Sequence, residues 1–450
     1  MPNQTKQQTT KLTPMIIVCA LFFIFGFVTW ANGTLIPFFK LSFGLSDLQA
    51  FFVTFASYMA YFFLSLPSAW ILKKTGFKNG IILGLLILGI GSLIFIPAAS
   101  NRTFGLFLAG IFVQGSALAL LQTASNPYLT IIGPVDSAAK RISIAGICNK
   151  FAGMIVPVIM GSLFLKNASA IEDQIKHATG LDKEVLLNEV LGRVNTPYIV
   201  LAVLFTLFAV IIKFTPLPEI EAEDEEETAD VSHTDVVKKD SIFQYPHVFL
   251  GALCIFLYVG AEVMAGDIIG VYAHQIGIKP EISGKLTSLT LAGMLVGYIT
   301  GIFTIPKIMT QQTALKICAV LGVLFSVFAL MLEGKFYLDL NLTLFGYELI
   351  NAHGDMYYSV IFIALLGLAN SLMWPAIFPL GIKHLGKFTK TGSAIMIMGI
   401  AGGAIWPFLY AILKDHFHMD FQLAFFLTVL PCYLYILFFA IKGHKIGLAK

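Results

Sequence analysis

Apolar residues run in long blocks separated by short polar breaks. Ile16 to Phe39, Phe51 to Leu72, Ile81 to Ala99 and Phe104 to Leu121 are the first four. As helix, each is long enough to cross the ~30 Å hydrocarbon core of a bilayer. Spans are expected at 15–39, 48–72, 79–99, 103–128, 140–165, 196–214, 247–275, 283–309, 314–333, 357–380, 389–413 and 421–442. The predicted fold is an all-α polytopic membrane protein of twelve transmembrane helices.

The most polar stretch, 215–246, lies after the sixth span and holds the acidic run Glu219 to Glu227 followed by Lys238 and Lys239. It reads as a solvated connector between two six-helix bundles. The expected organisation is a tail (1–14), a first bundle (15–214), the connector (215–246), a second bundle (247–442) and a tail (443–450). The polar start lacks the basic, apolar and small-residue regions of a signal peptide, so the first apolar block is expected to stay as a helix.

The halves echo each other. Gln122-Thr-Ala-Ser-Asn126-Pro127 is followed by Gly153-Met-Ile-Val-Pro157, and Asn370-Ser-Leu-Met-Trp374-Pro375 by Gly403-Ala-Ile-Trp-Pro407. Twelve spans, a polar hinge after six and a parallel repeat match the two-bundle transporter plan, with substrate bound between the bundles near midplane.

Composition sharpens the class. Charged residues make up 12% of the chain and hydrophobic residues 57%, with mean hydropathy +0.82. A soluble domain carries roughly 25% charge. The net charge of +3 points to no nucleic-acid partner. The five cysteines are scattered through separate apolar blocks, unlike a disulfide framework or metal site. With the N-terminus inside, eighteen Lys and Arg fall in inside segments and ten in outside ones, which puts both termini in the cytoplasm.

Motifs in order along the chain resemble a known family. Phe22-Phe23 with Asn32-Gly-Thr-Leu-Ile-Pro37, Gln122-Thr-Ala-Ser-Asn-Pro-Tyr128 with Gly133-Pro134, Tyr258-Val-Gly-Ala-Glu262, Trp374-Pro-Ala-Ile-Phe-Pro-Leu-Gly-Ile-Lys383 and Gly399-Ile-Ala-Gly-Gly-Ala404 resemble the fucose–galactose–hexose branch of the major facilitator superfamily. Tyr433-Leu-Tyr-Ile-Leu-Phe-Phe-Ala-Ile-Lys442 also resembles its bacterial glucose/galactose transporters. The resemblance implies a monosaccharide substrate, alternating access, cation coupling and a multi-pass place in the bacterial inner membrane. Two departures matter. The branch has Asn-Asp in its first helix where this chain has Asn32-Gly33, and its fucose transporters have Glu at the place of Gln122. Those carboxylates carry proton coupling in the branch, so that mechanism does not transfer.

A sugar offers hydroxyls and two apolar faces, so its site needs amides, carboxylates and aromatic planes. Gln122 and Asn126 share a helix face at i, i+4. Asn149 lies in the fifth span, at a position matching a sugar-contacting Asn of the fucose transporters. Asn32 and Asn370 are expected to complete a ring of amides, and Trp374, one turn beyond Asn370, to stack on the sugar. The alternative for each amide is helix–helix bonding.

Lys150, Glu262 and Asp267 lie deep in spans, where an unpaired charge costs at least ~2.5–3.5 kcal/mol. Glu262 and Asp267, five apart, point in different directions and do not make one dyad. Lys150 is read either as a structural cation or as half of a charge pair, with an acid of the seventh span, that opens and closes during transport. The coupling candidates are thus Glu262, Asp267 and Lys150. The reading is a hexose importer coupled to protons, with sodium coupling, an uncoupled facilitator and a non-transporting sugar sensor as alternatives. No enzyme, cofactor or metal site is expected beyond the co-transported ion, and the expected state is a monomer. The basic run Lys73-Lys74-Thr-Gly-Phe-Lys78 is expected only to set orientation.

Overall fold

A computed structural model describes residues 12–45, 47–133, 137–164, 180–215, 240–276, 286–332, 334–344 and 347–448, with 174, 177 and 178. Inside a bilayer a backbone has no water to bond, so apolar runs satisfy their amides as helix. The first half comprises α1 (Leu12–Phe43), α2 (Asp47–Ser100), α3 (Phe104–Ile131), α4 (Ala138–Phe164), the short α5 (Leu181–Gly192) and α6 (Asn195–Phe214). The second comprises α7 (Pro246–Gly266), α8 (Ile268–Gln275), α9 (Leu286–Thr304), α10 (Gln311–Met331), α11 (Tyr358–Asn370), α12 (Met373–Gly381), α13 (Thr389–Met398), α14 (Gly402–Ala411) and α15 (Phe421–Ile441). A hairpin, β1 (Lys335–Leu344) and β2 (Tyr347–Tyr357), stands between α10 and α11.

Among the described residues, ten helical stretches are long and apolar enough to cross a membrane. One of them, Phe51–Ser100, is 50 residues long and holds two spans, folded back at Gly76, whose φ of 76° favours glycine. The fifth span, α4, is a further crossing that carries Arg141 and Lys150. These give the twelve crossings expected. The connector and the N-terminal tail fall largely outside the described residues; only the final stretch of the connector, with a 3₁₀ turn at Ile242–Gln244, is seen.

The repeat is a property of the packing too. A Cβ on Gly26 of α1 would lie 2.0 Å from the Asn149 carbonyl oxygen of α4, and one on Gly402 of α14 would lie 1.8 Å from that of Phe256 in α7. Likewise Gly115 of α3 meets the Ser57 carbonyl of α2, and Gly367 of α11 meets that of Thr290 in α9. Each half therefore draws its first span against its fifth, and its second against its fourth, through a glycine. Close backbone approach of this kind drives association where lipid is as apolar as the side chains.

The outer surface carries exposed Phe63, Trp70, Ile90, Val203, Leu207, Val296, Phe303 and Leu434. In water such a belt would be a liability; in a bilayer it is the required surface. At one end of the molecule basic groups close helix termini. Arg141 donates to the carbonyls of Leu129 at 2.7 Å, Thr130 at 2.8 Å and Gly133 at 3.2 Å, bonding the unsatisfied end of α3. Lys78 Nζ does the same at Thr215 of α6. The basic run does more than set orientation: Lys390 of the second bundle lies over the Phe77 ring at 5.0 Å.

Two elements were not foreseen. α5 occupies the connection before the sixth span and turns Leu187, Val190 and Leu191 inward. The hairpin pairs Phe336 with Met356 and Leu338 with Gly354, and β2 packs against α4 and α9. Its period-two pattern, Phe336-Tyr-Leu-Asp-Leu-Asn-Leu-Thr-Leu344, is a strand signature.

Candidate functional site

A cavity of about 100 Å³ opens where the bundles meet. From the first bundle come Phe22, Phe25, Thr29 and Trp30 of α1, Tyr58 and Tyr61 of α2, Gln122 of α3, and Gly146, Asn149 and Lys150 of α4. The second supplies Tyr258 and Glu262 of α7, Tyr298 of α9 and Trp374 of α12.

Two spans place these groups by breaking regularity. Pro375 lacks an N–H and crowds the preceding turn, so the tenth span parts into α11 and α12 around Ser371 and Leu372. Trp374 thereby starts a new helix at the cavity wall. In the eleventh span a 3₁₀ turn at Gly399–Ala401 links α13 to α14 and brings Ile400 to the wall. Pro127 lies within α3, one residue past Asn126.

The amides are already half engaged. Gln122 Nε2 donates to the Tyr61 hydroxyl at 3.0 Å, and Asn149 Nδ2 donates to the Phe22 carbonyl at 3.2 Å. Each is held by its amino group in a cavity wall, which leaves its carbonyl oxygen as an acceptor for a ligand hydroxyl. Asn126 is buried behind Gln122, donating to the Gln122 backbone carbonyl at 2.9 Å and accepting from Trp374 Nε1 at 3.2 Å. Trp374 lies 6.4 Å from the Tyr258 ring and stacks on Phe378.

The expected ring of amides is only partly formed. Asn32 turns to α2 and donates to Ser57 Oγ at 3.4 Å. Asn370 accepts from the Tyr433 hydroxyl at 3.0 Å. Neither lines the cavity. Both are helix–helix contacts within their own bundles, the alternative that holds for buried amides in lipid.

Across the interface, Lys150 Nζ and Glu262 Oε1 form an ion pair whose side chains are 9% and 12% exposed. Lys150 Nζ also lies 5.2 Å from the centre of the Trp30 ring. Asp267 stays apart from this pair on the wall: a Cβ on Gly33 would lie 3.3 Å from its Oδ1. It abuts α1 and does not line the cavity. The tyrosines Tyr58, Tyr61, Tyr258 and Tyr298 were missed as wall residues. One signal existed, since Tyr258 precedes Glu262 by one helical turn and shares its face.

The bundles touch on both sides of the cavity. Toward the basic end stand the Asn126–Trp374 bond and Tyr298, which packs on Gly146. Toward the other end, Trp30 meets Gly266, Tyr58 meets Gly403, and Phe408 packs among Phe51, Phe52 and Phe55.

The sequence profile described as Major Facilitator Superfamily matches residues 18–409. The chain belongs to the Major Facilitator Superfamily. Within that superfamily it is 34% identical to a protein named glucose/galactose transporter from Brucella abortus, over 98% of this chain and 97% of that one. It is 28% identical to the L-fucose-proton symporter of Escherichia coli, over 89% of this chain and 86% of that one. The crystal structure of the facilitator FucP in the outward conformation superposes with a TM-score of 0.75 at 25% identity, covering 96% of this chain and 99% of that one. A facilitator interface therefore carries the cavity, and the Lys150–Glu262 pair spans it.

Proposed function

We propose that this facilitator is a monosaccharide transporter of the glucose/galactose type, working by alternating access in the bacterial inner membrane. The carrying observation is the cavity itself. The amide side chains of Gln122 and Asn149 and the aromatic rings of Trp374 and Tyr258 line it together between two bundles. Amides suit hydroxyls, and aromatic rings suit the apolar faces of a sugar ring. Relatives named for glucose, galactose and fucose support the same substrate class.

The proposed binding residues are Gln122, Asn149 and Trp374, with Tyr61 holding Gln122 and Asn126 holding Trp374 in place. The proposed coupling pair is Lys150 and Glu262, with Asp267 second in order. The favoured ion is the proton. A carboxylate already bonded to an ammonium is a poor sodium ligand, yet it accepts a proton directly, and protonation releases the ammonium. No other cofactor enters the reading. Both termini are cytoplasmic in this proposal, following the Lys and Arg distribution. One chain encloses the whole cavity, so a monomer suffices.

Purified protein in liposomes, supplied with radiolabelled aldohexoses and an imposed proton or sodium gradient, tests the proposal. Accumulation of glucose or galactose under the proton gradient is expected. Failure to move any aldohexose of a broad panel would sink the substrate assignment.

A further inference from the structure

Trp30 occupies a singular place in the interface. Its root is set in its own bundle, since a Cβ on Gly153 of α4 would lie 2.6 Å from Trp30 Cδ1 and 3.0 Å from Cγ. Its far edge reaches the other bundle, where a Cβ on Gly266 of α7 would lie 3.0 Å from Cη2. The residue is 6% exposed.

Lys150 lies one turn before Gly153 on α4, so ammonium and ring belong to the same rigid half. Glu262 lies one turn before Gly266 on α7, in the opposite half. Parting of the bundles on this side withdraws Glu262 and Gly266 together. It leaves Trp30 and Lys150 facing each other at the separation seen now, 5.2 Å from Nζ to ring centre. That lies within the ~6 Å reach of a cation–π contact, for which Trp is the best ring. A charge left without a partner in this setting is costly. The ring face is the partner that does not leave.

We propose that Trp30 is a positioning residue for the coupling charge: it holds the Lys150 ammonium in place through the part of the cycle in which Glu262 is withdrawn. The proposal rests on the transport reading above, with Lys150–Glu262 as the pair that parts. The other charged and titratable groups around the pair are Asp267 and Tyr258 of α7, Tyr58 of α2 and Tyr298 of α9. Of these only Tyr58 belongs to the first bundle with Lys150, and the charges that act on it are Asp267 and Glu262 of the second.

The test is sugar exchange by full-length protein in liposomes with equal sugar on both sides, which needs no gradient. Trp30→Leu is made in two backgrounds. In Glu262→Gln the ring is the ammonium's remaining partner, and Trp30→Leu should slow exchange roughly tenfold, as loss of a desolvated cation–π contact predicts. In the Lys150→Met, Glu262→Gln double variant there is no ammonium to hold, and the same change should cost less than about twofold. Trp30→Phe keeps an aromatic face and should limit the loss to about threefold in the first background. Size-exclusion profiles establish that each variant is folded; should Trp30→Leu not fold, the Phe variant carries the comparison, with a loss of about threefold against none.

Equal losses in the two backgrounds would overturn the proposal, because the ring would then be packing alone. Unchanged exchange in Glu262→Gln on removing the ring would overturn it as well. Failure of the coupling reading looks different: Glu262→Gln would still accumulate sugar under a gradient, whatever Trp30 does.

Discussion

Trp374 of the second bundle donates its indole N–H to Asn126 Oδ1 of the first at 3.2 Å. The same asparagine bonds back to the Gln122 carbonyl one turn earlier on α3. The contact therefore links a cavity-wall aromatic, the wall amide and the closure between bundles. Trp374→Phe keeps a ring and deletes the bond. A neutral hydrogen bond contributes ~0.5–1.5 kcal/mol, so closure on the basic side should loosen by that amount. Thiol labelling of a cysteine placed at Ile142, one turn toward the basic end from Gly146, should speed up several-fold. An unchanged labelling rate would mean the bond does not hold the closure.

The Lys150–Glu262 pair yields a second expectation. Glu262→Gln should abolish accumulation driven by a gradient while exchange continues, because exchange needs no net ion movement. Lys150→Ala should be worse than the combination with Glu262→Gln, since a lone buried charge costs ~3–5 kcal/mol and removal of both does not. Uptake with and without a gradient separates the cases. Wild-type accumulation by Glu262→Gln under both proton and sodium gradients would shift the role to Asp267 or to an uncoupled facilitator.

Four of the five amides divide into two pairs with opposite expected phenotypes. Gln122→Ala and Asn149→Ala each remove an acceptor from the cavity wall and should weaken sugar binding by ~0.5–1.5 kcal/mol. Asn32→Ala and Asn370→Ala break contacts to Ser57 and Tyr433 away from the cavity. They should lower thermal stability and leave affinity within about twofold, because helix–helix hydrogen bonds in membranes average ~0.6 kcal/mol. Calorimetry beside a thermal melt distinguishes the pairs. A large loss of affinity in Asn370→Ala would place that residue back in the site.

Close approach between the first and fifth spans of each half gives a fourth expectation. Gly402→Ala would set a Cβ 1.8 Å from the Phe256 carbonyl, a backbone atom that cannot rotate away. At Gly260 the atoms nearest a Cβ all belong to the Trp406 side chain, so Gly260→Ala should be relieved by Trp406→Leu while Gly402→Ala has no such suppressor. Overpacking costs ~1–3 kcal/mol. Melting temperatures of the single and double variants measure both. Rescue of Gly402→Ala by Trp406→Leu would contradict the packing described.

Spans, hinge and repeat were legible because a bilayer imposes a length and forbids bare backbone, and both demands are written in linear runs of residues. Lys150 and Glu262 were legible as a possible pair because charge in lipid is costly and their depths match. The hairpin after the ninth span was also written plainly, in alternating positions from Phe336 to Leu344.

Which amide faces the cavity was not legible. In a soluble helix the polar stripe marks the outside, but a membrane helix meets lipid on one side and protein on the other, and both are apolar. Asn32 and Gln122 therefore look alike in sequence. Only the packing of α1 on α2 turns Asn32 to Ser57, and only the meeting of the bundles brings Gln122 to the cavity, Trp374 to Asn126 and Lys150 to Glu262. Those contacts join residues more than a hundred positions apart, or depend on a helix rotation that no local pattern encodes. The chain's own order determines that it crosses a membrane twelve times in two matching halves; the tertiary structure alone decides which few of its buried polar groups meet between them.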